Sequence, residues 1–412
     1  MIKTVFLDLD DTLLRTYTDK FVEQYVIGLT ASILEHYPAL AQASVSPGKV
    51  LQRALGTTIQ NLDPTLINAE VFGRAVQDML DLPVDSMQAL LDDYHQEPYS
   101  KLASLTDRID AAASLIDQLA DMGIAVVIAT NPVFQLKPVL QRLAWAGLDR
   151  PRVPFTFVSN IEELHYTKPH PHFYEELLAR TGAEADETIM VGDSLTEDMI
   201  PAAQAGLNTF WIHWDNVLPD DLADELKPDG SGTLADFGRL VSEGWLATLK
   251  ARHRTSAQLI PRLLGSTAAL FGVVATIKPE YWNMRPDPNE WSALEIVCHL
   301  RDSEGSVQRP RLERIAREDN PFISQTPTPP RPRERDLSHE DGHVALQEFW
   351  QERCKTLQFI DTLPPDAWDR PARHSIFGPT TLLEMAHFSA RHDHLHINQL
   401  TQTIERCKQA LH

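Results

Sequence analysis

Four short runs in the first half of the chain, within residues 3–8, 124–130, 153–158 and 188–193, are mainly apolar without alternating, and the first and last end in an aspartate. A strand with one wet face alternates, whereas a strand covered on both faces does not, so these runs predict a doubly wound parallel sheet. Helical periodicity fills the gaps at 108–122, 134–146, 171–181 and 197–205. Residues 15 to about 103 break the alternation. They read as four amphipathic helices, at about 16–34, 48–60, 67–80 and 84–96, with no strand of note. Ligand chemistry in such sheets belongs at the carboxyl ends of the strands, and an insertion directly after the first strand overhangs that edge as a lid.

From 215 to 255 the periodicity weakens, with Pro219-Asp220-Asp221 and Pro228-Asp229-Gly230-Ser231-Gly232 as turn material and a last helix at about 234–250. A boundary is expected near 250, with Ala251 to Ser256 as linker. Beyond it the pattern is all helix, at about 257–275, 292–318, 339–363 and 381–408. Ser292 with Glu295, Ser338 with Asp341 and Thr381 with Glu384 have the spacing of helix N-caps. Four helices and three capped starts predict a four-helix bundle, with the proline-rich stretch Pro321 to Pro332 linking its second and third helices. The expected architecture is an α/β doubly wound (Rossmann-like) parallel sheet, core 1–14 and 104–250, with an inserted helical cap, 15–103. An all-α four-helix bundle follows at 251–412.

A length of 412 residues agrees with two to three domains. The net charge of −21 is uneven: residues 251–412 hold 20 basic and 21 acidic residues, the preceding part 17 and 37. Such a field repels phosphate backbones and anionic membranes, so neither nucleic acid nor a membrane is an expected partner. No apolar run looks long enough to span a bilayer. Cys298, Cys354 and Cys407 show no CxxC spacing and fit a reducing, cytoplasmic setting.

The chemistry sits at the ends of the strand-like runs: Asp8-Leu9-Asp10-Asp11-Thr12, Thr130-Asn131, Lys168-Pro169, and Gly192-Asp193-Ser194 continuing to Asp198. Covalent phosphoryl transfer needs an anionic nucleophile, a proton donor for the leaving oxygen and cations to offset phosphate charge. Asp8 and Asp10, two apart on an extended chain, suit nucleophile and general acid/base. Carboxylates converging within about 5 Å call for a divalent ion, and Mg²⁺ suits hard oxygen ligands. An acid at position 10 favours phosphate esters over carbon–halogen bonds, because halide leaves without a proton.

In these motifs the chain resembles the haloacid dehalogenase superfamily over about residues 1–245, matching its DxDxT/V motif at Asp8, Asp10 and Thr12. The resemblance implies that Asp8 attacks phosphorus, Asp10 protonates the leaving group and later activates water, Thr130 bonds a phosphoryl oxygen, and Lys168 neutralises phosphate. It implies Mg²⁺ at Asp8, the backbone carbonyl of Asp10 and Asp193, with Asp198 supporting that shell. A phosphomutase remains an alternative. The lid argues for a small phosphorylated metabolite, with Tyr17, Arg53 and Lys101 as possible contacts.

In the helical half, His392 and His396 are four apart on the last helix, the spacing of a two-histidine metal clip, and His299 on the second helix could supply a third ligand. Three imidazoles suit Zn²⁺, Ni²⁺ or a similar ion. His387 and His394 point elsewhere on the wheel, and Cys298 reads as packing. Trp291-Ser292, Glu295, His299-Leu300 and the run Arg391 to Leu400 resemble the DinB-like family over about residues 255–410, which implies His299, His392 and His396 as ligands. Three roles stay open for the bundle: a metal-binding partner of a phosphatase, a thiol-dependent transferase, or a structural or homodimer-forming module whose metal aids stability.

Overall fold

The computed structural model describes residues 1–149, 154–213, 217–324, 337 and 339–410. The chain divides into two compact units, Met1–Tyr174 with Ala183–Arg252, and Glu175–Gly182 with His253–His412. The division after Arg252 falls inside the expected linker. The return of Glu175–Gly182 to the second unit has no counterpart in the sequence pattern.

The first unit is built on a six-stranded parallel sheet in the order Phe157–Val158, Ala125–Ile128, Thr4–Leu7, Thr188–Gly192, Asn208–Ile212, Gly230–Gly232. Thr4–Leu7 lies at its centre, and Val5, Phe6 and Leu7 have no exposed surface, as a strand covered on both faces requires. Leu115, Ile116, Leu119, Val139 and Leu143 from the flanking helices join Phe210, Phe237 and Val241 in one core. The last two strands depart from expectation. Asn208–Ile212 begins with two polar residues, both buried, which break the apolar run. Gly230–Gly232 reads as turn material and becomes a strand by pairing, Phe210 opposite Gly230. A Cβ at Gly230 would stand 2.8 Å from the Phe210 ring and 2.9 Å from Trp245, so glycine permits the close approach.

The insertion forms four helices, Thr18–His36, Pro47–Ile59, Asn68–Leu80 and Val84–Tyr94. It joins the core through a short antiparallel pair, Leu14–Arg15 with Asp107–Arg108, too short to leave a periodic signal. Tyr17 crosses this junction: it holds a left-handed backbone at φ 50° and its hydroxyl donates to Asp107 Oδ2 at 3.2 Å.

In the second unit, Leu259–Ala275 packs on Gly342–Asp361 and Leu382–Ala410, and Ala293–Ser303 packs on the same two, which closes a four-helix bundle. The expected single helix at 292–318 is interrupted by a π-helical turn, Glu304–Gln308, before Arg309–Arg317. Ser292 and Thr381 cap as their spacing predicts: Glu295 and Glu384 accept the cap amides at 2.8 and 2.9 Å. Ser338 lies outside the described residues, and Asp341 caps the third helix, accepting from the amides of His343 and Val344. The all-helix expectation also misses a small sheet of Phe322–Ile323, Pro371–His374 and Gly378–Thr381, whose tight hairpin uses Gly378 at φ 73°. Ser256–Ala275 is long and apolar enough to cross a membrane by length and composition, with mean hydropathy 1.4, against the expectation of no such run. In the structure 78% of it is buried, as befits a core helix of the bundle.

Candidate functional site

The register of the central strands assembles the first site. Leu7 sits opposite both Ile128 and Val191, so Asp8, Thr130 and Asp193 leave the sheet at one edge. The Asp8 amide donates to Val191 O at 2.9 Å. Beyond it the amides of Leu13 and Leu14 both donate to Leu9 O at 2.9 Å, a single wide turn that carries Asp10 and Asp11 back over the strand ends.

Lys168 is 2% exposed and donates to Asp8 Oδ1 at 2.7 Å and to Asp198 Oδ1. Asp198 is held further by the Ser194 amide, 3.1 Å from Oδ2, and by the Tyr174 hydroxyl, 3.4 Å from Oδ1. Carboxylate oxygens of Asp8, Asp193 and Asp198 all lie within 4.8 Å of one another. Burial pushes Asp8 well above the usual carboxylate range; Lys168 draws it back and the aspartates around it push it up again. Burial, then Asp198 and Asp11, raise Asp193 to about 7. Burial disfavours the Lys168 ammonium, yet Asp198 and Asp8 outweigh it and raise its pKa. Three crowded carboxylates facing one ammonium remain short of positive charge, and an all-oxygen set of this kind fits a hard divalent cation.

The side chain of Asp10 stands outside that trio, and its expected place at the cation is through the backbone carbonyl. Its Oδ1 accepts from Thr16 Oγ1 at 2.8 Å, and its Oδ2 accepts from Arg142 Nη1 and, at 3.5 Å, from Thr130 Oγ1. Arg142, 1% exposed on the helix Leu136–Trp145, went unnoticed in the sequence because a lone arginine in an amphipathic helix reads as solvated. Asp11 serves the fold: its carboxylate accepts from the amides of Thr16, Tyr17 and Thr18 and so caps the first helix of the insertion.

A cleft of about 920 Å³ opens beside Asp193, lined by Arg15, Tyr17, Thr18, Lys20 and His213 among others. Of the three expected lid contacts, Tyr17 borders it, whereas Arg53 and Lys101 are exposed and do not.

The second site lies within the bundle. Ring nitrogens of His299, His392 and His396 fall within 4.8 Å of one another, and His299 Nε2 is 3.2 Å from His392 Nε2. Trp291 stacks on His396 with centroids 5.7 Å apart and planes 3° off parallel, and packs edge-on against His299. Burial and the neighbouring imidazoles lower His299 to about 3 and His396 to about 4, so both rings are neutral near pH 7 and offer lone pairs to a metal. Behind them Arg353, fully buried, donates to Asp393 Oδ2 at 2.6 Å and to both oxygens of Glu304 at 2.8 and 2.9 Å. His387 lies outside the trio, one ring nitrogen 3.0 Å from Thr255 O; His394 is buried and also outside it. Cys298 is in the bundle core, as its reading as a packing residue requires.

Comparison with known proteins finds two separate matches along the chain. Residues 2–206 match the family model of haloacid dehalogenase-like hydrolases, and residues 262–400 match that of the DinB superfamily. Among curated proteins, the glyceraldehyde 3-phosphate phosphatase of Pyrococcus abyssi is 26% identical over 52% of this chain and 82% of its own length. The pyrophosphatase PpaX of Bacillus cereus is 24% identical over 58% and 99%. The pyrimidine 5'-nucleotidase PynA of Streptococcus pneumoniae is 33% identical, over 27% of this chain and 46% of its own. Among solved structures, a phosphatase from Thermococcus onnurineus aligns with TM-score 0.38 and 21% identity over 58% of this chain and 98% of its own. YfiT from Bacillus subtilis, described as a probable metal-dependent hydrolase with an unusual four-helix bundle topology, aligns with TM-score 0.33 and 21% identity over 37% and 87%.

Proposed function

We infer, for a chain whose residues 2–206 match the haloacid dehalogenase-like hydrolase family and whose residues 262–400 match the DinB superfamily, that the first domain is a magnesium-dependent phosphatase acting on a small phosphorylated metabolite. The second is a bundle that holds a transition metal, Zn²⁺ or Ni²⁺. We take residues 1–250 and 251–412 as the two functional domains, with 15–103 as the cap. The observation that carries the phosphatase reading is the meeting of Asp8, Lys168, Asp193 and Asp198 at the edge where Asp10 and Thr130 also arrive.

In this reading Asp8 Oδ attacks phosphorus and the ester P–O bond breaks, leaving an aspartyl phosphate. Asp10 gives a proton to the departing oxygen, then takes one from the water that attacks phosphorus and frees Asp8. Lys168 holds Asp8 in place through a 2.7 Å bond and lends positive charge to the phosphoryl oxygens. Thr130 donates to a phosphoryl oxygen. Asp8, Asp193 and the main-chain carbonyl of Asp10 would hold Mg²⁺, with Asp198 behind them, and the bound ion supplies charge that offsets the phosphate as it transfers.

Replacing Asp8 by Asn removes the nucleophile at nearly constant shape. Hydrolysis of an aryl phosphate by the full chain should drop to background while the thermal transition persists. Turnover at the wild-type rate by Asp8→Asn would defeat the assignment.

A further inference from the structure

Two buried polar groups beside Asp10 lack partners. Arg142 gives Nη1 to Asp10, but its Nε and Nη2 meet no acceptor. The Tyr99 hydroxyl, with no exposed surface, also has none. Tyr99 is close enough to both Arg142 and Asp10 to feel their charges, and its burial keeps the phenol protonated and able to donate. The two come from different parts of the domain: Arg142 from a core helix, Tyr99 from the segment Pro98–Leu105 that closes the inserted cap. Aromatic rings fix both. The Arg142 guanidinium lies 4.5 Å from the Phe134 centroid, and Tyr99 is packed among Phe21, His95 and Trp145.

A buried donor without an acceptor costs about 1–3 kcal/mol, and more when charged. A fold carries this cost where something else completes the set. The acceptor must be anionic to suit a guanidinium, and it must lie on the side of Asp10, the group assigned to the departing oxygen.

We propose that Arg142 and Tyr99 form a subsite for a second anionic group, a carboxylate or a further phosphate, carried by the leaving part of the substrate. The proposal rests on the phosphatase reading and narrows it: the substrate is a phosphate ester or anhydride whose leaving group is itself negatively charged a few atoms from the broken bond. Arg142 is then a specificity-determining residue. The anion reaches it with the cap open and is enclosed when Tyr99 closes.

The test compares substrates that differ in that charge alone. Phosphoglycolate against ethyl phosphate probes a carboxylate, and pyrophosphate against methyl phosphate probes a second phosphate. The wild-type chain should favour the charged member of at least one pair about tenfold or more in kcat/KM, mainly through KM, as a charge-assisted hydrogen bond predicts. Arg142→Met should bring that ratio close to one, Arg142→Lys should restore part of it, and Tyr99→Phe should lower it a few-fold while keeping the ring. A preference in one pair only identifies the anion. A wild-type ratio near one in both pairs, or a ratio unchanged in Arg142→Met and Tyr99→Phe, overturns the proposal. Calorimetric binding to Asp8→Asn keeps this separate from the reaction: tighter binding of the charged member supports the subsite even where hydrolysis is absent. Equal binding with intact wild-type hydrolysis removes the subsite and leaves the phosphatase.

Discussion

The main chain of Gly192 runs against the carboxylate of Asp198, so that a Cβ on Gly192 would stand 2.5 Å from Asp198 Cγ and closer still to Oδ2. Asp198 cannot yield without giving up its bonds to Lys168, the Ser194 amide and the Tyr174 hydroxyl, which hold it from three sides. Gly192→Ala should therefore push Asp198 out of place, costing about 1–3 kcal/mol by overpacking. Phosphatase activity should fall with it, since Lys168 loses one of its two anchors. Denaturant titration and aryl-phosphate turnover of the full chain measure the two losses, and an unchanged midpoint would show that Asp198 is free to move.

Much of this site was legible because its acids stand where apolar runs stop. Strand ends are visible in a sequence, and parallel pairing puts them on one edge, so Asp8, Thr130 and Asp193 could be placed together before any coordinates. Arg142 could not. Its partner Asp10 is 132 positions away, and no local pattern distinguishes a buried arginine from a solvated one. Asp11, inside the same motif, has a role that the motif does not show: its carboxylate caps a helix. The strands at Asn208–Ile212 and Gly230–Gly232 were hidden because pairing and close packing make them, and neither carries an uninterrupted apolar run. In the bundle, the four-residue spacing of His392 and His396 announced a shared face, but Arg353 and its two carboxylates arise only from packing between helices.

Asp193 gives the proposed Mg²⁺ site a pH dependence. With its pKa raised to about 7, the cation-free folded state binds a proton that the unfolded chain releases near 4. A raised carboxylate contributes negatively to stability above its unfolded value, and this penalty grows as pH rises from about 4 to 7. Magnesium removes the penalty by replacing the proton. Its affinity should therefore strengthen as pH rises toward 7 and then level off, and the thermal shift on adding Mg²⁺ should be larger at pH 7.5 than at pH 5.5. Equal shifts at both values would mean that Asp193 does not take part.

Arg353 joins Glu304 and Asp393 with no exposed surface of its own. Burial works against ionised Asp393, yet Arg353 brings it down to about 2. Arg353→Met leaves two carboxylates buried without a cation, which should cost about 3–5 kcal/mol. Adding Glu304→Gln and Asp393→Asn should recover part of that loss. Chemical denaturation of the three proteins tests this, and a single mutant as stable as wild type would contradict the account.

The three histidines of the bundle give the proposed transition-metal site a dependence on acidity. His299 at about 3 and His396 at about 4 are both depressed, by burial first and by their imidazole neighbours next. A histidine with a depressed folded value contributes stability that is complete above the unfolded value near 6.5 and is lost as pH falls from there toward 3 to 4, because the unfolded chain takes up protons first. A bound metal extends the effect, since it binds only the neutral rings and leaves when the domain opens. Wild-type protein should carry about one transition metal per chain by elemental analysis, and His392→Ala and His396→Ala should each lose it. Chelation should lower the unfolding temperature of the wild type while leaving His392→Ala unchanged, and the gap between the two proteins should close between pH 6.5 and 4. A wild-type chain free of metal after expression in metal-supplemented medium, and indifferent to chelator, would reduce the trio to packing around Trp291.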